Sequence, residues 1–141
     1  MDNIIDEKCM QHWATQWEKY PHCRQTKNFY PYPSKIKYEE TGKLSRSSLA
    51  TLVKIVTGQN NLNYLTNIIF PELSGLCRFC EEEDESFIHL GNECPVFLEK
   101  RIEIFKDEWP IENSLTWKPS ALVDFAYHPP IVEALAGRSN E

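Results

Sequence analysis

The chain has 141 residues, of which 41% are hydrophobic and 26% charged, with a formal net charge of −6. This is one domain's worth of globular sequence, which excludes a disordered chain, and no apolar run approaches the ~18 residues that cross a bilayer. The N-terminus, Met1 to Glu7, has neither a basic n-region nor an apolar h-region, so the expectation is an intracellular protein, nuclear or cytoplasmic, without a secretory leader or membrane partner.

Residues 3–20 are expected to form a helix, because Ile5, Cys9, Trp13, Trp17 and Tyr20 recur at spacings of four and three, with Pro21 ending it. That stripe needs a partner surface. It is either the domain's own core or another chain, a host protein or a second copy, docking on Trp13 and Trp17. Cys9 with His12, and His22 with Cys23, could supply a second metal site; the alternative is a small apolar helix residue at Cys9 and a core thiol at Cys23.

Residues 21–43 read as loop. Phe29-Tyr30-Pro31-Tyr32-Pro33-Ser34 should be extended, packing across helices or stacking bases. Charge is segregated here. From Lys19 to Lys54 there are eight basic residues and two acidic ones, a balance of +6, leaving −12 on the remainder. Such a segment reads as a face for nucleic acid or another anion, with Arg24, Lys27, Lys43, Arg46 and Lys54 as candidate contacts, or as a solvated basic loop paired with acids elsewhere in the fold.

Residues 45–57 give the clearest helix. Ser45 is its N-cap, Leu49, Leu52, Val53 and Val56 its apolar stripe, and Gly58 its C-cap. Residues 60–69 suggest a short helix carrying Leu62, Leu65 and Ile69, broken by Pro71 and Gly75. Cys77, Cys80, His89 and Cys94 then follow as C-x2-C-x8-H-x4-C.

A C-x2-C turn lets two thiolates converge on one cation from a single loop, and a second pair from the returning chain completes a tetrahedron. Three thiolates and one imidazole suit one structural Zn²⁺ and leave no open position for catalysis. The alternative is three buried free thiols and a surface histidine. Five cysteines without a secretory leader argue against a disulfide framework. Between the ligand pairs, Glu81 to Glu85 read as a solvated acidic turn, with Phe87 and Ile88 closing the knuckle.

Residues 95–107 are expected to form a helix with Leu98, Ile102 and Phe105 inward and Lys100 and Arg101 on its polar side. Helices at 120–127 and 130–136 follow, then a tail from Arg138. No strand-period alternation persists. The fold expected is one mainly α domain, with a zinc module stapling two helical layers and no substantial sheet.

Three ordered stretches carry a resemblance: Cys23-Arg24-Gln25-Thr26-Lys27; Leu44-Ser45-Arg46 through Val56-Thr57-Gly58; and Cys77-Arg78-Phe79-Cys80 with His89-Leu90 and Glu93-Cys94-Pro95. Over roughly residues 13–107 the chain resembles the C-terminal tail of non-LTR retrotransposon polyproteins of the Jockey/I type. There the order C-R-Q-[TA]-K, L-S-R, L-[TV]-G-H and C-x2-C…H-x4-C-P follows the reverse transcriptase and ribonuclease H domains. The chain departs at Gln59, where many relatives have histidine, and near Tyr64-Leu65, where another often stands. The resemblance implies Cys77, Cys80, His89 and Cys94 as metal ligands, Arg24, Lys27 and Arg46 as basic motif positions, and a module that handles template RNA or target DNA. Without a polymerase Tyr-x-Asp-Asp or a ribonuclease H carboxylate set, it also implies a fragment or a domesticated derivative.

Three functions are compatible with these residues. The first is a non-catalytic zinc module binding RNA or DNA through the basic segment. The second is a protein-interaction module docking through the helical, aromatic face of residues 3–20. The third is an enzyme, for which the sequence offers no nucleophile–base pair, phosphate loop or open metal site.

Overall fold

The computed structural model describes residues 2–106 and 118–136. Among these residues the chain is mainly helical and has no strand, only an isolated antiparallel bridge between Leu76 and Asp84. The helices are α1 (Asp2–Lys19), α2 (Arg24–Phe29), α3 (Lys35–Gly42), α4 (Arg46–Thr57), α5 (Asn63–Ile69), α6 (Phe87–Asn92), α7 (Leu98–Phe105), α8 (Pro119–Ala126) and α9 (Pro129–Ala136). A 3₁₀ turn, Pro95–Phe97, leads into α7. The Arg138–Glu141 tail and the Gly137 stop lie outside the described residues.

The organising element is α8. It packs on α3, α4, α7 and α9, and buries Leu122, Val123, Phe125 and Ala126. Phe125 sits at the centre of an aromatic cluster, with ring centroids 5.8 Å from Phe87, 6.2 Å from Phe97 and 5.5 Å from Phe105. Phe87 and Phe97 meet it edge-on and Phe105 at a tilt of 45°, and edge-on pairs add specificity to the area buried.

Residues 21–43 are not loop. They hold α2 and α3, and only the aromatic–proline stretch between them, after the fully buried Phe29, is irregular. Short helices carry too few turns for apolar periodicity to show, so local capping decides. The Ser34 Oγ accepts from the Lys37 amide at 3.3 Å and starts α3. That helix is inverted relative to its polarity, since Lys37 is buried while Ile36 and Tyr38 face outward.

In α4 both expected caps form. Ser45 Oγ accepts from the Ser48 amide at 3.2 Å, and Gly58 adopts a left-handed φ of 74°. Its buried face is rotated from the expected one, however. Leu52, Ile55 and Val56 are inside, while Leu49 and Val53 are exposed. The cause is α2, which packs on the C-terminal end of α4. Gln25 Nε2 donates to the Ile55 carbonyl at 2.8 Å, and Thr26 Oγ1 to the Val56 carbonyl at 3.2 Å. These are end carbonyls that the helix cannot satisfy itself.

Further along, Leu62 is buried at the start of α5, but Ile69 is exposed. In α7, Phe105 and the preceding Phe97 are buried, whereas Leu98 and Ile102 face solvent.

Candidate metal centre

Two chain reversals bring the four ligands together. The Cys77 amide donates to the Glu83 carbonyl at 2.7 Å and the Glu81 amide to the Cys77 carbonyl at 2.9 Å, which fold residues 77–83 back on themselves. Then Ser86 Oγ accepts from the His89 amide at 3.1 Å, capping α6 and directing His89 inward. The Cys94 amide donates to the His89 carbonyl at 2.8 Å, which brings in the fourth ligand. Pro95 follows at the first position of the 3₁₀ turn.

The ligand atoms of Cys77, Cys80, His89 and Cys94 all lie within 4.8 Å of one another. Cys77 Sγ is 4.0 Å from Cys94 Sγ, and Cys80 Sγ is 3.3 Å from His89 Nε2. A tetrahedral centre with Zn–S near 2.3 Å sets S–S edges of about 3.8 Å, so this cage is metal-sized. Cys77, His89 and Cys94 are buried and Cys80 is partly so. The four residues therefore form a group that could hold one metal ion.

The surrounding shell fits that group. His89 Nε2 faces Cys80, which leaves the buried Nδ1 on the outer side, 3.6 Å from Glu93 Oε2. At that separation Nδ1 makes no hydrogen bond to Glu93 or to another described residue, so the carboxylate is a nearby charge behind the imidazole. Burial opposes ionisation of Cys80, but the Glu82 amide, His89 and the Glu83 amide outweigh it and bring the thiol down to about 7. Burial pushes Cys94 up to about 12 and raises Cys77 as well. These two buried thiols need a neighbouring cation to exist as thiolates.

Arg101 provides part of that charge, and the sequence reading misplaced it. Rather than lying on the polar side of α7 it is only 3% exposed. Its Nη1 donates to the Leu90 carbonyl at 3.1 Å and to the Cys94 carbonyl. Burial lowers its pKa, and the proximity of Cys94 works against that lowering. Arg101 therefore satisfies two backbone acceptors around the second ligand pair and sets a guanidinium beside a thiol. The pattern that could have identified it is its position seven residues past Cys94, about two turns on, in the helical stretch that follows Pro95.

The acidic turn also divides. Glu81 to Asp84 are exposed, but Glu85 is fully buried and is not part of a solvated loop tip. Its carboxylate accepts from Arg78 Nη2 at 2.7 Å, from the Arg78 amide at 2.9 Å and from the Asn63 amide at 3.0 Å. This bidentate pair ties the knuckle to the start of α5.

The basic candidates lie elsewhere. Arg24, Lys43, Arg46 and Lys54 are exposed and form no ion pair with a described residue. Lys27 is half-buried; its Nζ donates to the Tyr20 carbonyl and lies 5.4 Å from the Trp17 ring centroid. Trp13 is 57% exposed, and Trp17 is half-buried with Nε1 donating to the Tyr30 carbonyl at 2.7 Å. Cys9 and Cys23 are both exposed, so Cys23 is not a core thiol. Neither they nor His12 and His22 enter a metal-sized group among the described residues.

No protein-family model, curated protein or solved structure matches the chain.

Proposed function

We propose that the chain is a non-catalytic, zinc-stapled module that binds RNA or DNA through its basic segment, as the resemblance to retrotransposon polyprotein tails implies. The observation that carries this reading is the set Arg24, Lys43, Arg46 and Lys54, exposed and without ion-pair partners among the described residues, in a chain that also folds a metal-sized CCHC cage. No acid among the described residues stands within ion-pair distance of these four, which leaves them open to phosphates. Arg24 stands at the start of α2 and Arg46 and Lys54 on α4, two helices held together by Gln25 and Thr26, so these three charges stand on one packed pair of helices.

The metal's role in this reading is structural. Zn²⁺ would fix Cys77, Cys80, His89 and Cys94 and leave no coordination position for substrate. The test combines metal analysis with a salt titration. About one equivalent of zinc should co-purify with the protein. Binding to labelled RNA or DNA near ~50 mM salt should weaken with a log–log slope of about −3 to −4 if four phosphates are neutralised. Binding that is undetectable at that salt ends the reading.

A second reading rests on α1, where Ile4, Ile5 and Trp13 are exposed on the same helix. A host protein or a second copy of the chain could cover them. Light scattering with size exclusion tests this, and a strict monomer that recovers no protein partner counts against it.

A further inference from the structure

Several aromatic residues of α1 and of the basic segment stay outside the core, Phe29 being buried in it. Trp13, Trp17, Tyr30, Tyr32 and Tyr38 line an open apolar groove of about 370 Å³. Tyr38 is 78% exposed, and its neighbour Ile36 also faces outward on the helix that buries Lys37 instead. No charged side chain lines this groove. A second depression, bounded by Tyr38, Glu39, Lys43 and Leu49, shares Tyr38 and Thr41 with the first. The two therefore lie side by side and mark out one path along the surface. It runs from the end of α1, past the aromatic–proline stretch, to the start of α4, where Arg46 stands exposed.

We infer that this path is a binding track for single-stranded nucleic acid, with bases stacked on Trp13, Tyr32 and Tyr38 and the backbone led toward Lys43 and Arg46. This rests on the nucleic-acid reading above and specifies its form. Two features favour such an occupant. The lining offers flat, exposed π faces, which accept any base, and Trp17 has its own indole N–H committed to Tyr30, so it supplies a fixed wall. The Lys19–Lys54 segment, which supplies Tyr30, Tyr32, Tyr38 and Lys43 to the path, carries +6 in a chain of net −6, so the complementary ligand is an anion. A duplex stacks its bases internally and cannot offer them to the groove.

The test measures binding of oligo-U and oligo-dT of about ten nucleotides, and of duplex RNA and DNA of the same length, by fluorescence anisotropy near ~50 mM salt. The natural protein should prefer the single strands, and the oligo-U and oligo-dT arms separate RNA from DNA. Tyr38→Ala and Trp13→Ala should each weaken single-strand binding about tenfold, with duplex binding unchanged. Arg46→Ala should weaken both. The exposure of Tyr38 and Trp13 makes truncation safe for folding, and unchanged far-UV dichroism and zinc content would verify it. Equal affinity for duplex and single strand, or no effect of Tyr38→Ala, overturns the track and leaves the broader reading standing. Binding of no nucleic acid at all removes both. A proline-rich peptide that displaces nothing but itself binds in a Tyr38-dependent way would assign the groove to protein and overturn the inference.

Discussion

Arg101 and Lys37 are the two buried cations whose surroundings explain most about the single side chain. Around Zn²⁺, three thiolates and a neutral imidazole sum to one net negative charge. The guanidinium of Arg101 lies against that excess while holding the Leu90 and Cys94 carbonyls. Arg101→Leu should weaken zinc retention by about 10–100-fold, the range usual for outer-shell partners, read by competition with a chromophoric chelator. Arg101→Lys should recover part of the loss, since it restores charge without the forked donors. Lys37 reports differently. Burial lowers its pKa from 10.5 to about 8, with Glu40 opposing the shift. Between those values the unfolded chain holds a proton that the folded chain has released, so this side chain makes stability rise with pH across that window. The urea midpoint should therefore climb more between about pH 8 and pH 10 for the natural protein than for Lys37→Met.

Among the elements, the α2–α4 junction shows what the C-R-Q-T-K and V-T-G stretches do structurally. Gln25 and Thr26 finish the end of α4, and Gly58 turns the chain away at a φ of 74°. A Cβ at Gly58 would stand 2.9 Å from Gln25 Oε1. Gly58→Ala should thus combine left-handed strain of about 1–2 kcal/mol with loss of the Gln25 bond, about 1 kcal/mol, measured as a drop in unfolding free energy. The pair with Gln25→Ala should be less than additive, because both disturb one contact. The helices at α1, α4, α5, α7, α8 and α9 were legible in the sequence, as were the Ser45 and Gly58 caps and all four cage residues. Their signals are local: periodicity over several turns, a capping hydroxyl, a ligand spacing. The rotation of α4, the inversion of α3 and the burial of Glu85 and Arg101 were not legible. Each depends on a partner distant in sequence, as Asn63 is for Glu85 and α2 for α4. An isolated stretch such as Glu81 to Glu85 gives no sign of which of its like charges an arginine will take inside.

At the scale of the whole molecule, the metal cage and the hydrophobic core are one structure. Phe79 packs edge-on against Phe97 at 4.7 Å, and Phe97 and Phe87 both reach Phe125. Structural zinc contributes on the order of 10–16 kcal/mol in small finger peptides, comparable to the ~5–15 kcal/mol total of a typical domain. Chelation, or Cys80→Ser, should therefore abolish near-UV dichroism and the cooperative unfolding transition, and zinc should restore them in the chelated natural protein. A cooperative transition that survives chelation would show that the core stands without the metal. The placement of α8 has a consequence for synthesis. The ligands, Cys77 to Cys94, leave the ribosome before Phe125, with roughly two to six seconds between the last ligand and that ring at ordinary elongation rates. The nascent chain can thus close its four-residue cage before Phe125 exists, so the half of the core that the cage organises is in place to receive α8 as it emerges.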